Sequence, residues 1–162
     1  MLILRPYQNQ DHDSVWELHN LALNRAGAHA GNGPWDDDLH SIQKVYIDTG
    51  GYFVVGLLDN LIVAMGALKR DDQVRGEIKR MRVHPDFQRR GFGQRILDHL
   101  EDQARRLKIS QLHLDTTSGQ SSAIALYRKN GYTELDRQTG PKFTLIFFEK
   151  SLQLLPRKAA PI

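Results

Sequence analysis

Two glycines placed two residues apart are the first feature of the sequence that could do chemistry. They belong to the run QRRGFG at 88–93, which lies between an apolar segment typical of a strand and a long segment with helical spacing. Backbone N–H groups at the start of a helix can receive an anion, and glycine lets the backbone approach it closely. The run therefore predicts an anion-binding loop, with an ordinary strand-to-helix turn as the alternative.

Other familiar signatures are missing from the sequence. The loop lacks the Lys-Ser/Thr pair of a phosphate-binding P-loop and the third glycine of a dinucleotide fingerprint, which disfavours nucleoside triphosphates and NAD. No Gly-x-Ser-x-Gly elbow of a serine hydrolase occurs. The seven histidines show no ligand spacing, and His84 before Pro85 is typical of a strand end. We therefore expect no metal.

Composition excludes several classes of protein. The 162 residues are 40% hydrophobic and 25% charged, near the averages of globular domains, and include no cysteine. This predicts one soluble domain at 1–150 with a loosely held tail at 151–162, and no disulfide framework. The 22 Lys and Arg against 19 Asp and Glu give a net charge of +3, too even for a general grip on nucleic acid. We also expect no membrane partner and a cytoplasmic location, because no apolar run suits a signal peptide or a membrane span.

Apolar spacing, interrupted by Gly, Pro and Asp, predicts seven strands and four helices. The predicted strands are 2–5, 52–58, 61–68, 77–83, 111–116, 132–135 and 143–148. The predicted helices begin at Asp11 or Asp13, at the acidic run 36–38, at about Gly91 and at Ser121, and end near Gly27, Gly50, Lys108 and Asn130. In the third helix an apolar stripe should be buried, while Glu101 and its charged neighbours should face water. The order predicts an α+β fold with one parallel crossover, where a ligand would sit.

Three motifs in fixed order and spacing carry a resemblance to a known family. They are EIKRMRVHP at 77–85, the glycine loop, and ALYRKNGY at 125–132. Together they resemble the GNAT superfamily of acyl-CoA-dependent N-acetyltransferases, and the strand order extends the likeness over nearly the whole chain. The resemblance implies a GNAT fold: a mixed, mostly antiparallel sheet of about seven strands with a central strand-helix-strand crossover and about four helices. It also implies an acyltransferase that uses acetyl-CoA.

The resemblance further implies where coenzyme A binds. In the family the loop holds the pyrophosphate through main-chain N–H groups, and the strand before it pairs with the pantetheine. The family often has an asparagine three residues before the alanine of the last helix, whereas this chain has Gln120 before Ala123; Ser121 or Ser122 could make the contact instead. The implied coenzyme-binding residues are Met81, Arg82, Val83, Gln88, Arg89, Arg90, Gly91, Phe92, Gly93, Gln94, Gln120 and Ser122. Arg89 and Arg90 are equally well read as solvated loop residues.

The resemblance implies two catalytic residues. Tyr127 occupies the place where the family commonly has a tyrosine whose hydroxyl reaches the coenzyme sulfur, as general acid or hydrogen-bond donor. Its alternative is a core aromatic. Glu77 has the spacing of the glutamate that serves as base in the histone-acetylating branch. A neighbouring cation on the sheet could instead pair with it, with water relays removing the proton.

The acceptor is expected to be an amine-bearing small molecule or peptide. Trp35 and Asp36 lie in the loop region that often selects substrates in this fold, and an aromatic ring beside carboxylates suits a cationic amine. The alternative is that Trp35 packs in the core and the aspartates cap a helix. A homodimer remains open. Two other functions are alternatives: a non-catalytic acyl-CoA sensor or interaction module, and a nucleic-acid-binding domain using Lys79, Arg80, Arg82, Arg89 and Arg90.

Overall fold

The computed structural model describes residues 1–154. Its seven strands form one mixed sheet in the order β1-β2-β3-β4-β5-β7-β6. They are β1 (Ile3–Pro6), β2 (Tyr52–Leu58), β3 (Leu61–Arg70), β4 (Arg75–Val83), β5 (Gln111–Thr117), β6 (Thr133–Thr139) and β7 (Thr144–Ser151). The α-helices are α1 (His12–Arg25), α2 (Phe92–Arg106) and α3 (Ser121–Lys129). A seven-residue 3-10 helix, Pro34–His40, brings the helices of seven or more residues to four, as expected from the sequence.

The hairpin of β2 and β3 is confirmed. Asp59 and Asn60 adopt left-handed backbone angles, with φ of 48° and 65°. Two consecutive left-handed residues form the turn whose twist matches antiparallel strands, and Asp and Asn tolerate that conformation better than most residues.

The parallel pair, β4 and β5, separates soon after it begins. The two strands pair only at Arg75 with Gln111, Gly76 with Leu112, and Glu77 with His113. Beyond these positions β5 pairs with β7 on its other side, and β4 pairs with β3. A gap therefore opens in the middle of the sheet, at the crossover where the sequence predicts a ligand.

A bulge in β4 adds to this irregularity. The register of β3 and β4 shifts between Met65 and Ala67, opposite Arg80, whose φ is 57°. A bulge of this kind bends the strand and redirects side chains, and bulges are common next to active sites. Met81 and Arg82 follow the bulge, and as successive strand residues their side chains lie on opposite faces of the sheet.

The two faces of the sheet carry separate cores. One face packs against α2 and α3, and its buried residues include Leu97, Leu100 and Phe148. The other face packs against α1 and the segment at 34–47, around Leu39 and Tyr46. The apolar stripe predicted for α2, at positions 96, 97, 100, 104 and 107, is confirmed at its first four members, which are fully buried, whereas Leu107, just after the helix, is only half-buried.

One prediction about α2 is wrong: Glu101 is buried rather than solvent-facing. Lys150 Nζ approaches Glu101 Oε1 at 2.8 Å, and the Tyr132 hydroxyl donates to the same oxygen at 3.0 Å. Both partners come from beyond α2 in the chain, so the helical pattern alone gives no sign of them. A buried charge is tolerated when it is paired and hydrogen-bonded, as here.

The second predicted helix is not a regular α-helix. Its residues form the 3-10 helix Pro34–His40 followed by a single π-helical turn, Gln43–Ile47. Asp36 and Asp38 do not cap the backbone, because their carboxylates face His19 and Arg80.

The end of the described chain is held in place. Ser151 closes β7, and buried Leu152 donates its N–H to Ser110 O at 2.8 Å. The rest of the tail expected to be loosely held, residues 155–162, lies outside the described residues. No helix within residues 1–154 has the length and apolar character that crossing a membrane requires.

Candidate active site

Two cavities lie next to the part of β4 that separates from β5. The first, of about 370 Å³, is bordered by residues 77–82 of β4 and 115–117 of β5, and we call it the sheet cavity. The second, of about 550 Å³, is bordered by the glycine loop and the start of α3, and we call it the loop cavity. Five residues line both cavities, and we call them the junction: Leu23, Met81, Arg82, Gln120 and Tyr127.

The glycine loop lines the loop cavity. Gly91 is left-handed, with φ of 76°, immediately before α2, and Arg89 is also left-handed. A Cβ added at Gly91 would meet no protein atom within 4 Å, so the space above it is open. Five other predicted residues share this lining: Gln88, Arg89, Phe92, Gly93 and Gln94. Arg90 does not, because its guanidinium lies over the Phe87 ring, 5.1 Å from the centroid.

The start of α3 closes the loop cavity on the opposite side. Gln120, Ser121 and Ser122 all contribute to the lining, and Gln120 Nε2 donates to Thr117 Oγ1 at 3.3 Å. Arg25 and Lys129 add two cations that the sequence analysis did not select. Arg25 ends α1, far from the glycine loop in the chain, so no local motif marks it. The cavity thus combines an open glycine turn, helix starts and positive charge, which together suit a phosphate-bearing ligand.

The backbone of β4 presents polar groups to the gap. His84 N–H donates to Val63 O at 2.7 Å, which makes these two residues a hydrogen-bonded pair of the β3–β4 ladder. Hydrogen-bonded pairs alternate along antiparallel strands, so the backbone of Arg82 also faces β3. The N–H and C=O groups of Met81 and Val83 therefore face the gap, where an extended ligand could pair with them like a strand, although the Met81 carbonyl already accepts one hydrogen bond from Arg82 Nη1 at 2.8 Å.

Tyr127 is both a core aromatic and a residue of the candidate site, the two alternatives that the sequence leaves open. Its ring is buried against Tyr132 and Phe148, with ring centroids 5.7 Å and 6.2 Å away, yet the residue lines both cavities at the junction. Burial raises the pKa of Tyr127 to about 12, and nearby Arg82 opposes the shift. The phenol is therefore protonated at neutral pH and can donate a proton or a hydrogen bond.

Glu77 lies in the sheet cavity with its side chain 17% exposed. Lys79 Nζ is 3.9 Å from Glu77 Oε2, which is an ion pair too long for a direct hydrogen bond. Burial raises the pKa of Glu77, while Lys79 and His113 oppose that rise. Glu77 is thus a carboxylate that can be reached from the cavity. Because Lys79 makes no direct hydrogen bond to it, the Glu77 oxygens can still accept a proton.

Trp35 and Asp36 both line the sheet cavity, but Trp35 is exposed and Asp36 is buried. Trp35 is 61% exposed, so it is not a core residue. Asp36 is buried, with His19 Nε2 at 3.1 Å and Arg80 Nη1 at 3.6 Å from its Oδ1. The charge of Asp36 is therefore already shared between two protein partners.

Sequence reasoning missed His19, which lines the sheet cavity from α1. Burial lowers its pKa to about 4, with help from Arg82 and Arg80, so His19 is neutral at pH 7. A carboxylate can only accept, so Nε2 carries the hydrogen toward Asp36 and Nδ1 is an unprotonated acceptor. A histidine within an otherwise ordinary amphipathic helix gives no local signal of such a place. Within residues 1–154 there is no group of three or more metal-ligating side chains.

Comparison with known proteins agrees with this geometry. The profile of the Acetyltransferase (GNAT) family matches residues 7–132. The chain is 37% identical over 118 residues to an IAA acetyltransferase from Azospirillum brasilense, spanning 71% of this chain and 74% of that protein. It is also 42% identical over 52 residues to the ribosomal protein bS18-alanine N-acetyltransferase of Salmonella typhimurium, about a third of each chain (32% and 35%).

Solved structures share the fold. An acetyltransferase of the GNAT family from Staphylococcus aureus superposes with a TM-score of 0.86 at 20% identity, covering 94% of this chain and 100% of that one. The PaiA N-acetyltransferase of Thermoplasma acidophilum, solved with coenzyme A, gives a TM-score of 0.78 at 16% identity, covering 94% and 99%. The chain belongs to the Acetyltransferase (GNAT) family, and it is an acyltransferase.

Proposed function

We propose that this protein transfers the acetyl group of acetyl-CoA directly to a primary amine. The observation that carries the proposal is the meeting of two cavities at Tyr127: one suits a phosphate-bearing ligand, and the other holds a carboxylate and an exposed aromatic ring. A two-substrate transfer needs such an arrangement, because each substrate must reach the reacting atoms from its own side.

In this proposal the pyrophosphate of acetyl-CoA binds the loop at 88–94, near Arg25 and Lys129. The pantetheine lies along the gap-facing backbone of Met81 and Val83. The thioester then reaches the junction. The related fold of PaiA, solved with coenzyme A, supports a coenzyme site in this architecture.

The chemistry follows from the groups at the junction and in the sheet cavity. The neutral amine nitrogen attacks the thioester carbon, the new C–N bond forms, and the C–S bond breaks as its electron pair leaves with sulfur. Tyr127 stabilises the developing thiolate by donating a hydrogen bond or its proton to that sulfur. Glu77, directly or through water, takes the proton that the amine loses. A Tyr127 that has given up its proton regains one from solvent. No covalent enzyme intermediate is required, because the amine attacks the thioester itself.

The acceptor is an amine-bearing small molecule or peptide that enters the sheet cavity. A cavity of about 370 Å³ is near the lower end of small-ligand sites, which favours a small acceptor or a chain terminus. One of the two named relatives is an IAA acetyltransferase, and the other is a ribosomal protein bS18-alanine N-acetyltransferase. Their names therefore do not agree on one acceptor.

Two of the cations in the nucleic-acid alternative lie within the candidate site rather than on an open basic surface. Arg80 is held by Asp38 and the Trp35 carbonyl, and Arg82 lies at the junction. This observation favours the transferase over a basic surface for nucleic acid. An acyl-CoA sensor without turnover remains the alternative that an activity assay must separate.

The test is a screen of primary amines and peptide N-termini with acetyl-CoA, read by thiol release and by mass spectrometry of the acetylated product. Calorimetry with acetyl-CoA alone measures coenzyme binding separately. We expect binding together with amine-dependent thiol release. Binding without turnover of any amine would support the sensor instead, and no binding would overturn the proposal entirely.

A further inference from the structure

We propose that the amine acceptor carries a carboxylate next to its amino group, as an α-amino acid does, and that Arg82 binds this carboxylate. The inference rests on the proposed transferase function and names the acceptor class of the same site. It is drawn from a guanidinium that the fold places at the junction with no carboxylate of residues 1–154 in ion-pair contact.

Arg82 has an unused hydrogen-bonding edge. Its Nη1 donates to the Met81 carbonyl at 2.8 Å, but its buried Nε has no partner. Nη2 also makes no hydrogen bond within residues 1–154. Nε and Nη2 together form the side of a guanidinium that binds both oxygens of one carboxylate through parallel hydrogen bonds.

Arg80, which lines the same cavity, differs from Arg82 because its guanidinium nitrogens have protein partners. Its Nε and Nη2 bind the two oxygens of Asp38, Nη2 also donates to the Trp35 carbonyl, and Nη1 lies 3.6 Å from Asp36. Asp36 and Asp38 are therefore engaged by Arg80. Among the residues that the structure describes, no carboxylate oxygen lies within 4 Å of an Arg82 nitrogen.

A buried guanidinium without an ion pair lowers the stability of the ligand-free protein. Burial and the nearby charge of Arg80 lower the pKa of Arg82 to about 10, although Tyr127, Asp36 and Asp38 partly oppose the shift. Arg82 remains charged at neutral pH. A ligand carboxylate would supply both the missing charge and the missing acceptors.

A second unpartnered atom points to the amino part of the acceptor. Only two buried side-chain polar atoms in the described chain have no hydrogen-bond partner: Arg82 Nε, a donor, and His19 Nδ1, an acceptor by the tautomer derived above. Both residues line the sheet cavity. A molecule with a carboxylate and an N–H donor close together complements both atoms.

The position of Arg82 sets the length of the acceptor. Because Arg82 is a junction residue with Tyr127, a carboxylate bound to it lies close to the expected thioester. The amine must then be only a few bonds from the carboxylate to reach the thioester carbon. A free amino acid meets this requirement, whereas a peptide N-terminus does not, because its nearest carboxyl group has become an amide.

The test compares free α-amino acids with their α-carboxamides as acceptors. With acetyl-CoA and wild-type protein, we expect kcat/KM for the acid to exceed that for the matched amide by at least about tenfold. Arg82→Gln should abolish this preference, while Lys79→Gln, which removes another cation from the same cavity, should keep it. Equal rates with acid and amide, or a preference that survives Arg82→Gln, would overturn the inference.

A binding measurement separates this inference from the proposed function. Calorimetry with coenzyme A present compares an N-acetyl amino acid with its carboxamide and requires no turnover. A preference for the acid that is lost in Arg82→Gln supports the inference even if no thiol is released; thiol release without the preference supports the transferase and overturns the inference.

Thermal unfolding distinguishes binding from a structural role of Arg82. Because the ligand-free protein gives Arg82 no anion, Arg82→Gln should melt at or above the wild-type temperature. A large loss of stability would show that Arg82 serves the fold and would count against a site kept for a ligand.

Discussion

Arg80 and Asp38, 42 residues apart in the chain, form a two-point ion pair: Nε donates to Oδ2 at 2.9 Å, and Nη2 to Oδ1 at 2.5 Å. The pair joins the bulge of β4 to the 3-10 helix that carries Trp35 and Asp36. The ion pair thereby holds the 3-10 helix, which borders the sheet cavity on one side, against β4, which borders it on another.

Asp38→Asn should destabilise the protein by about 3 kcal/mol, because it removes the two-point ion pair of a buried arginine and leaves Arg80 only the longer contact with Asp36 at 3.6 Å. The two side chains are only 13% and 15% exposed, so water offers little compensation. Urea unfolding measures the effect. Asp37→Asn, a change at the exposed neighbouring position, should leave the midpoint nearly unchanged. Equal urea midpoints for the two variants would mean that the Arg80–Asp38 pair does not stabilise the contact between β4 and the 3-10 helix.

Tyr127→Phe should slow the chemical step by about 10²-fold or more while acetyl-CoA affinity stays largely intact, because the ring remains and only the hydroxyl is lost. Single-turnover kinetics and calorimetry measure the two quantities. Tyr132→Phe is the matched control: it removes a hydroxyl bound to Glu101, outside both cavities, and should lower stability rather than the rate. A loss below about threefold would reduce Tyr127 to a packing residue.

Glu77→Gln should slow acetylation of an aliphatic amine at pH 7 by more than about tenfold. Such an amine, with a pKa of about 10.4, is neutral in only about one molecule in 2,500 at pH 7, which corresponds to roughly 4.6 kcal/mol. For a peptide α-amine the corresponding cost is only about 1 kcal/mol, so the loss should be smaller.

The pH–rate profile shows whether Glu77 acts as the base. Burial raises the pKa of Glu77, and its base form exists above that pKa, so the wild-type rate should fall as the pH drops through it. In Glu77→Gln this fall should vanish, and much of the activity should return near pH 9 as neutral amine becomes available. Glu149→Gln, at an exposed site on β7, serves as the control. Parallel profiles with similar rates would assign proton removal to water.

Gly91→Ala should weaken acetyl-CoA binding by about tenfold or more, because the new Cβ enters the open space above the loop. The left-handed backbone also disfavours alanine, at about 1–2 kcal/mol of stability. Gly131→Ala isolates that second effect: Gly131 has a similar φ of 85° but lies outside both cavities. Equal coenzyme affinity in the two variants would remove Gly91 from the binding loop.

Local signals were enough to predict most of the fold. Residues 59–60 mark the hairpin, the stripe on α2 marks a buried face, and the glycine loop lies where the sequence places it. These features depend on neighbours within a few residues. The same holds for Tyr127, whose motif fixes its helix and thus its place beside the crossover.

Features that depend on distant partners could not be predicted. Glu101 is buried because Lys150 and Tyr132 reach it, and the 34–47 segment departs from an α-helix where its aspartates face Arg80 and His19. No periodicity in the sequence reports such pairs. The unused edge of Arg82 is of the same kind, since it is evident only once the partners of Arg80 are known.

The most direct test of the account is a crystal structure of the protein with acetyl-CoA. It should show the pyrophosphate on the loop at 88–94, the pantetheine paired with Met81 and Val83, and the thioester sulfur within hydrogen-bonding distance of the Tyr127 hydroxyl. Coenzyme bound elsewhere, or a sulfur remote from Tyr127, would contradict the assignment of the junction as the place of acetyl transfer.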